Sequence, residues 1–239
     1  ASQELANVEG TRQAIALAES IAAGSFELVS SIAAAGLYPG LFREDMFEEA
    51  TGLNHPYFKT KHDSEAIVRK DCSIPFRIYR PAMVLGHSKT GVIDKIDGPY
   101  YFFKLIQKLR KIFPQWMPMM GLEGGRLNMV PVDYVVDVMD HIAHQKGLDG
   151  GCFHITDANP KRIGTVLNIF ADAANAPQMN LRVDARVFNF IPGAVKQGLM
   201  MLSPVRRIRK QLMNDIGIPP GVLKFVNYPT RFDDRETQK

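Results

Sequence analysis

Two short strand-like segments, Phe26–Ser31 and Pro75–Tyr79, are separated by a loop and a helix, and that order narrows the fold more than any other feature of the chain. Strands joined by a helical crossover lie parallel in one sheet, because a tight hairpin turn can only join antiparallel neighbours. The first run, Phe26-Glu27-Leu28-Val29, ends in two hydroxyl residues, Ser30 and Ser31. A small-residue stretch (Ile32 to Gly36) and an acidic loop (Arg43 to Asn54) follow. His55-Pro56 then opens a helix from Tyr57 to about Lys70. The second run closes on Arg80-Pro81, and Cys152–Thr156 reads as a third strand. In open α/β sheets ligands bind beyond the carboxyl ends of the strands, which is where Ser31 and Arg80-Pro81 fall.

The other predicted elements are helical. Glu4 to Ala22 carries an apolar face of Leu5, Val8, Ala14, Ile15, Leu17 and Ala18, and Gly24 closes it. Helices are predicted over Pro99–Ile112, Val132–His144 and Ile163–Ala174, with Asp133 in a first turn where a carboxylate suits the helix dipole. From Asp184 onward the pattern is short helices broken by prolines. The glycine clusters Gly121–Gly125 and Gly147–Gly151 read as loops. The fold class is α/β, a parallel sheet with about three core strands, and no repeat is visible.

Of the 239 residues 46% are apolar and 23% charged, as in an ordinary globular protein. No apolar run reaches the ~18 residues of a membrane span, and no signal-peptide pattern is present. Two distant cysteines, Cys72 and Cys152, suit a reducing, cytoplasmic setting better than a disulfide framework. A net charge of +4 is mild, and nothing in it calls for nucleic acid.

Tyr57 and Lys61 are four apart on the predicted helix, so they share a face. An ammonium beside a phenol favours the phenolate, and such a pair can pass a proton to a carbonyl oxygen that Ser31 holds. The spacing alone also fits an ordinary helix with a surface Lys and a half-buried Tyr. His141 and His144, three apart, fit solvent-exposed histidines better than a metal pair, so no metal is expected. Tyr100–Phe103 fits an acyl channel or simple core packing. The segment Val205–Leu212 sets four cations among apolar residues, which suits CoA phosphates, a weak membrane-surface contact or a solvated helix face. The Met-rich stretch Phe188–Leu202 suits a lid over a lipid chain or a buried core.

Taken together, Asn7-Val8-Glu9-Gly10-Thr11, Val29-Ser30-Ser31, Tyr57-x-x-x-Lys61 and Arg80-Pro81-x-x-Val84-x-Gly86 resemble the extended short-chain dehydrogenases/reductases. The longer blocks Gly86–Phe103, Gly124–Asp137 and Gly217–Asp233 are similar to bacterial alcohol-forming fatty acyl-CoA reductases, although Leu28 stands where that family has His. The resemblance implies a Rossmann-type parallel sheet over residues 1–160 and an α-rich substrate-binding subdomain over 161–239. It implies NADPH as cofactor and a long-chain acyl-CoA or fatty aldehyde as substrate, reduced towards fatty alcohol. It places Ser31, Tyr57 and Lys61 in catalysis with Asn7 supporting the proton relay. Ser30, Tyr57, Lys61, Pro81, Met83 and Val84 would meet the cofactor, and His87, Ser88 and Tyr100 the substrate. A nucleotide-sugar epimerase or hydroxysteroid-type dehydrogenase using NAD, or a noncatalytic segment, are the rival expectations.

The Gly-rich turn between strand and helix that cradles dinucleotide phosphates has no counterpart in the sequence. The chain is therefore expected to be an internal segment of a longer enzyme, partnered by an N-terminal Rossmann half and a C-terminal reductase domain, inactive in isolation, with self-association as a further expectation.

Overall fold

In a computed structural model, residues 2–94, 100–184 and 228–239 are described. They divide into two units. The first comprises residues 1–93, 128–159 and 229–239, and the second 94–127 and 160–228. The units interleave along the chain, with 94–127 in the second and 229–239 back in the first.

The first unit is built on a parallel sheet in the order β1-β3-β8, formed by Phe26–Val29, Phe76–Pro81 and Cys152–Ile155. Phe26 pairs with Phe76 and Val29 with Tyr79 on one side of β3, and Ile78 pairs with Cys152 and Pro81 with Ile155 on the other. Consecutive strand residues face opposite ways, and β3 shows the consequence. Ile78 packs with Ile15, Ile67, Val68 and Cys152 on one face, while Tyr79 packs with Val130, Val135, Ile142, Phe153 and Ile155 on the other. β3 is covered on both faces, and its two arginines, Arg77 and Arg80, are buried with it and paired with carboxylates. The crossover between β1 and β3 is α3 (Pro56–Asp71), and the helix before β8 is α5 (Val132–His144).

The N-terminal helix is not uniform. Ser2–Glu4 (α1) and Gly10–Ser20 (α2) are α-helical, but Leu5–Glu9 between them is a π-helical turn. Such turns insert one residue into the helical ladder and recur at functional sites. The hydroxyl of Thr11 donates to Asn7 O at 2.6 Å within this wider turn.

After β1 the chain forms a 3-10 helix, Ile32–Ala35, and a short strand β2, Gly40–Phe42. Gly36 links them at φ +64, where a Cβ would stand 2.0 Å from Thr51 O. Only glycine fits there. Strand β11 (Thr230–Phe232) pairs in parallel with β2, so residues that the sequence pattern assigns to short helices are here extended. Beyond β3, β4 (Met83–Leu85) pairs in parallel with β7 (Met129–Pro131).

In the second unit, α4 (Tyr101–Ile112) and α6 (Ile163–Ala173) pack through Ile106 against Ala171 and through Phe103 edge-on to Phe170 at 5.0 Å. Phe103 and Ile106 thus pack within this unit, and Phe102 is buried. Strands β5 (Met119–Glu123) and β10 (Met179–Asp184) pair in parallel, and β6 (Arg126–Leu127) pairs antiparallel with β9 (Lys161–Arg162). Gly121, read as part of a loop, therefore lies within a strand. No helix among the described residues is long and apolar enough to cross a membrane. The segments 188–202 and 205–212 lie outside the described residues.

Candidate functional site

The site starts from the carboxyl end of β1. Ser31 follows the strand with extended backbone (φ −168, ψ 154) and caps the 3-10 helix, its Oγ accepting from Ala33 N at 3.2 Å. Accepting one bond leaves the hydroxyl proton free to donate.

Tyr57 lies in the first turn of α3. Pro56 precedes it at the position a helix start favours, and His55 Nδ1 accepts from Tyr57 N at 3.3 Å as the N-cap. The Tyr57 hydroxyl makes no hydrogen bond to any described residue. Lys61, one turn on, reaches back to β1, where its Nζ donates to Val29 O at 3.3 Å. Val29 is two residues before Ser31, so the ammonium, the phenol-bearing turn and the Ser31 hydroxyl are tied to one strand end. α3 also packs against the 3-10 helix, and His62 Nδ1 meets Ala34 O at 3.2 Å. Burial drives the Lys61 ammonium below its ordinary value, and the nearby Glu65 carboxylate opposes that fall.

Asn7 Nδ2 donates to Thr60 Oγ1 at 3.0 Å, and Thr60 Oγ1 donates in turn to Tyr57 O at 3.3 Å. The π-helical turn thus braces the segment between Tyr57 and Lys61. Thr60 was not singled out from sequence.

The remaining sequence-predicted residues are placed as follows. Ser30 is 4% exposed, its N–H donating to Tyr79 O and its Oγ to Glu65 Oε1 at 2.5 Å. Its side chain faces the interior. Pro81 ends β3, and Met83 and Val84 lie in β4. The N–H groups of Ala82 and Met83 are already bonded to Ile155 O and Asn128 O. His87 closes a turn, accepting from Lys89 N at Nδ1. Ser88 gives both its N–H and its hydroxyl to Asp133, which hold that carboxyl down at about 2. Tyr100 belongs to the second unit and meets Phe103 edge-on. His141 and His144 are exposed, and no cluster of three or more metal-ligating groups occurs among the described residues.

Sequence reading missed a buried polar network behind the site. Arg80 and Glu65, both 0% exposed, form an ion pair with Nη2 to Oε2 at 2.6 Å. Arg80 Nη1 also donates to Met46 O at 3.0 Å and meets His154 Nε2 at 3.2 Å. Arginine has only donors, so His154 Nε2 accepts. The imidazole proton then sits on Nδ1, where Asp233 O accepts it at 2.6 Å. Burial and the Arg80 charge push His154 down to about 3, which keeps it neutral. A signal was available: Phe58, Lys61, Glu65 and Val68 share one face of α3. A carboxylate on a face with apolar neighbours needs a buried cation.

Comparison with known proteins adds a family. The profile of the family described as male sterility protein, an NAD-binding family, matches residues 2–139. An aldehyde reductase, lnbA, of Aspergillus flavus is 28% identical over 183 residues, covering 74% of this chain and 17% of that protein. A glycine betaine reductase, ATRR, of Emericella nidulans is 30% identical over 170 residues, covering 67% of this chain and 12% of that protein. The crystal structure of the terminal R domain from the myxalamid PKS-NRPS biosynthetic pathway superposes with a TM-score of 0.69 at 20% identity, over 97% of this chain and 55% of that one. The chain thus spans less than a fifth of these two curated relatives and about half of that structure.

Proposed function

This chain belongs to the male sterility protein family of NAD-binding, extended short-chain dehydrogenase/reductase domains, and from that membership we propose that it is the catalytic part of an NADPH-dependent reductase of long-chain fatty acyl-CoA or fatty aldehyde. One observation carries the reading. The Lys61–Val29 bond brings the ammonium that lies one helical turn beyond Tyr57 to the carboxyl end of the strand that leads into Ser31.

The residues present fit a nicotinamide cofactor in part. Lys61 uses one of its three donors on Val29 O, which leaves two for ribose hydroxyls. The segment Pro81–Val84 would lie along the ring, and in this reading the phosphates are held by a neighbouring part of the enzyme. When bound, the cofactor supplies the hydride that goes to the carbonyl carbon. Ser31 Oγ donates to the carbonyl oxygen as negative charge builds there. Tyr57 gives that oxygen its proton, and the Lys61 ammonium steadies the phenolate left behind. The start of α3 suits this charge, since a helix N-terminus carries partial positive charge. From a thioester the same chemistry gives a hemithioacetal, which releases the thiol to leave an aldehyde for the second reduction.

In the complete enzyme, Tyr57→Phe should lower kcat for NADPH consumption with a long-chain aldehyde by about 10²–10⁴-fold. Unchanged turnover refutes the role of Tyr57. The relatives' names favour a second reading, in which the same site reduces an aldehyde that is not a fatty one, or the acyl product of a PKS-NRPS pathway. A higher kcat/KM for such a non-fatty aldehyde than for a long-chain fatty one would select it.

A further inference from the structure

We propose that Glu65 is a positioning residue: clamped by Arg80 and bonded to Ser30, it locks the turn bearing Ser31 to the helix bearing Tyr57 and Lys61. The inference rests on the catalytic reading above and extends it to residues outside that machinery.

Geometry supplies the argument. Ser30 directly precedes Ser31, and its Oγ donates to Glu65 Oε1 at 2.5 Å. Glu65 lies one helical turn beyond Lys61 and two beyond Tyr57. Arg80 Nε reaches Oε1 at 3.0 Å and Oε2 at 3.1 Å, and Arg80 sits at the carboxyl end of β3, next to Pro81. One carboxylate therefore ties together the ends of two strands and the helix between them. If α3 slid along β1, Tyr57 and Lys61 would move relative to Ser31, and this bond resists that motion. A hydrophobic pair of similar volume would match a buried ion pair for stability and often exceed it. An apolar pair lacks the direction of a hydrogen bond.

Charge adds a second effect that packing lacks. Lys61 Nζ donates to the Val29 carbonyl at the end of β1, and Glu65 lies one turn further along the same helix. Arg80 stands behind Glu65 from β3, and Arg69 Nη2 lies 4.0 Å from Glu65 Oε2. Glu65 is the carboxylate that opposes the loss of the Lys61 proton. Removing its charge moves Lys61 deprotonation to lower pH.

The test compares the complete enzyme with Ser30→Ala, Glu65→Gln and the double variant Glu65→Met/Arg80→Met, which refills the site with apolar volume. Ser30→Ala should lower kcat about tenfold, with KM altered less than about threefold, as expected for a small misplacement of reacting groups. The double variant should still fold, with a lower melting temperature because Met46 O and His154 Nε2 lose their Arg80 donor, and should lose at least about tenfold in kcat. The basic limb of its pH–rate profile should move to lower pH. If the double variant folds and retains both wild-type kcat and the wild-type limb, the proposal is overturned. If Glu65→Gln does not fold, the other two variants decide. NMR titration of the Lys61 side chain needs no turnover, so it separates this inference from the reductase reading. A downward move in the double variant supports the positioning role even if no aldehyde is reduced, and an unmoved titration overturns it.

Discussion

Acidification should unfold the first unit through His154, and the size of the effect follows from its surroundings. His154 is 0% exposed, accepts from Arg80 and donates to Asp233 O, and lies near 3 against an ordinary 6.5. The folded value is the lower one, so the unfolded chain binds more protons between these two limits. Stability therefore falls as pH drops below 6.5 and stops falling below about 3. At about 1.4 kcal/mol per pH unit, the loss is about 3 kcal/mol by pH 4.5 and about 5 kcal/mol in full. That is a large fraction of a typical domain's stability. Glu44 works against it, because burial raises its carboxyl, and a group with a raised folded value gains stability as pH falls. Denaturant unfolding of wild type and His154→Gln from pH 7 to 4.5 isolates the histidine, since Glu44 acts in both. The variant should lose about 3 kcal/mol less than wild type over that range. Parallel losses, or an imidazole that titrates by NMR near its ordinary value, would refute the argument.

Three further outcomes are expected. Phe58→Ala, at a side chain 1% exposed, should cost about 3–5 kcal/mol in chemical denaturation. Gly36→Ala should cost at least about 1–3 kcal/mol from backbone strain and lower the melting temperature, because φ is +64 and the added carbon meets Thr51 O. Lys61→Met should lose reductase activity yet unfold at higher denaturant at pH 7. Burial depresses the folded ammonium, so the unfolded chain holds its proton more tightly, and that penalty fades only as pH rises towards 10.5.

The three central strands and four principal helices of the described region were legible because their apolar spacing matches their period. Val132–His144 and Ile163–Ala173 follow the predicted bounds to within a residue. The π-helical turn was not legible, since Leu5–Glu9 carries the composition of the helix around it. Strands β2 and β11 escaped because each is three residues long and its partner lies almost two hundred residues away. Ser31, Tyr57 and Lys61 were visible as residue types at a spacing. What joins them, Val29 O, Thr60 and Glu65, consists of one backbone atom and two helix residues whose partners only folding reveals.

The route of the chain also governs how this protein can be dissected. β5 finds its partner in β10 and β6 in β9, so 94–127 and 160–184 are halves of one structure despite the intervening stretch. Deleting either half alone strands the other with open backbone edges, and trimming the last residues uncaps Glu44, which accepts from both Glu236 N and Thr237 N. A shortened derivative that keeps the parallel sheet intact must therefore excise both pieces, bridge Ile93 to Asn128 and Asn159 to Pro229, and leave the C-terminal tail in place.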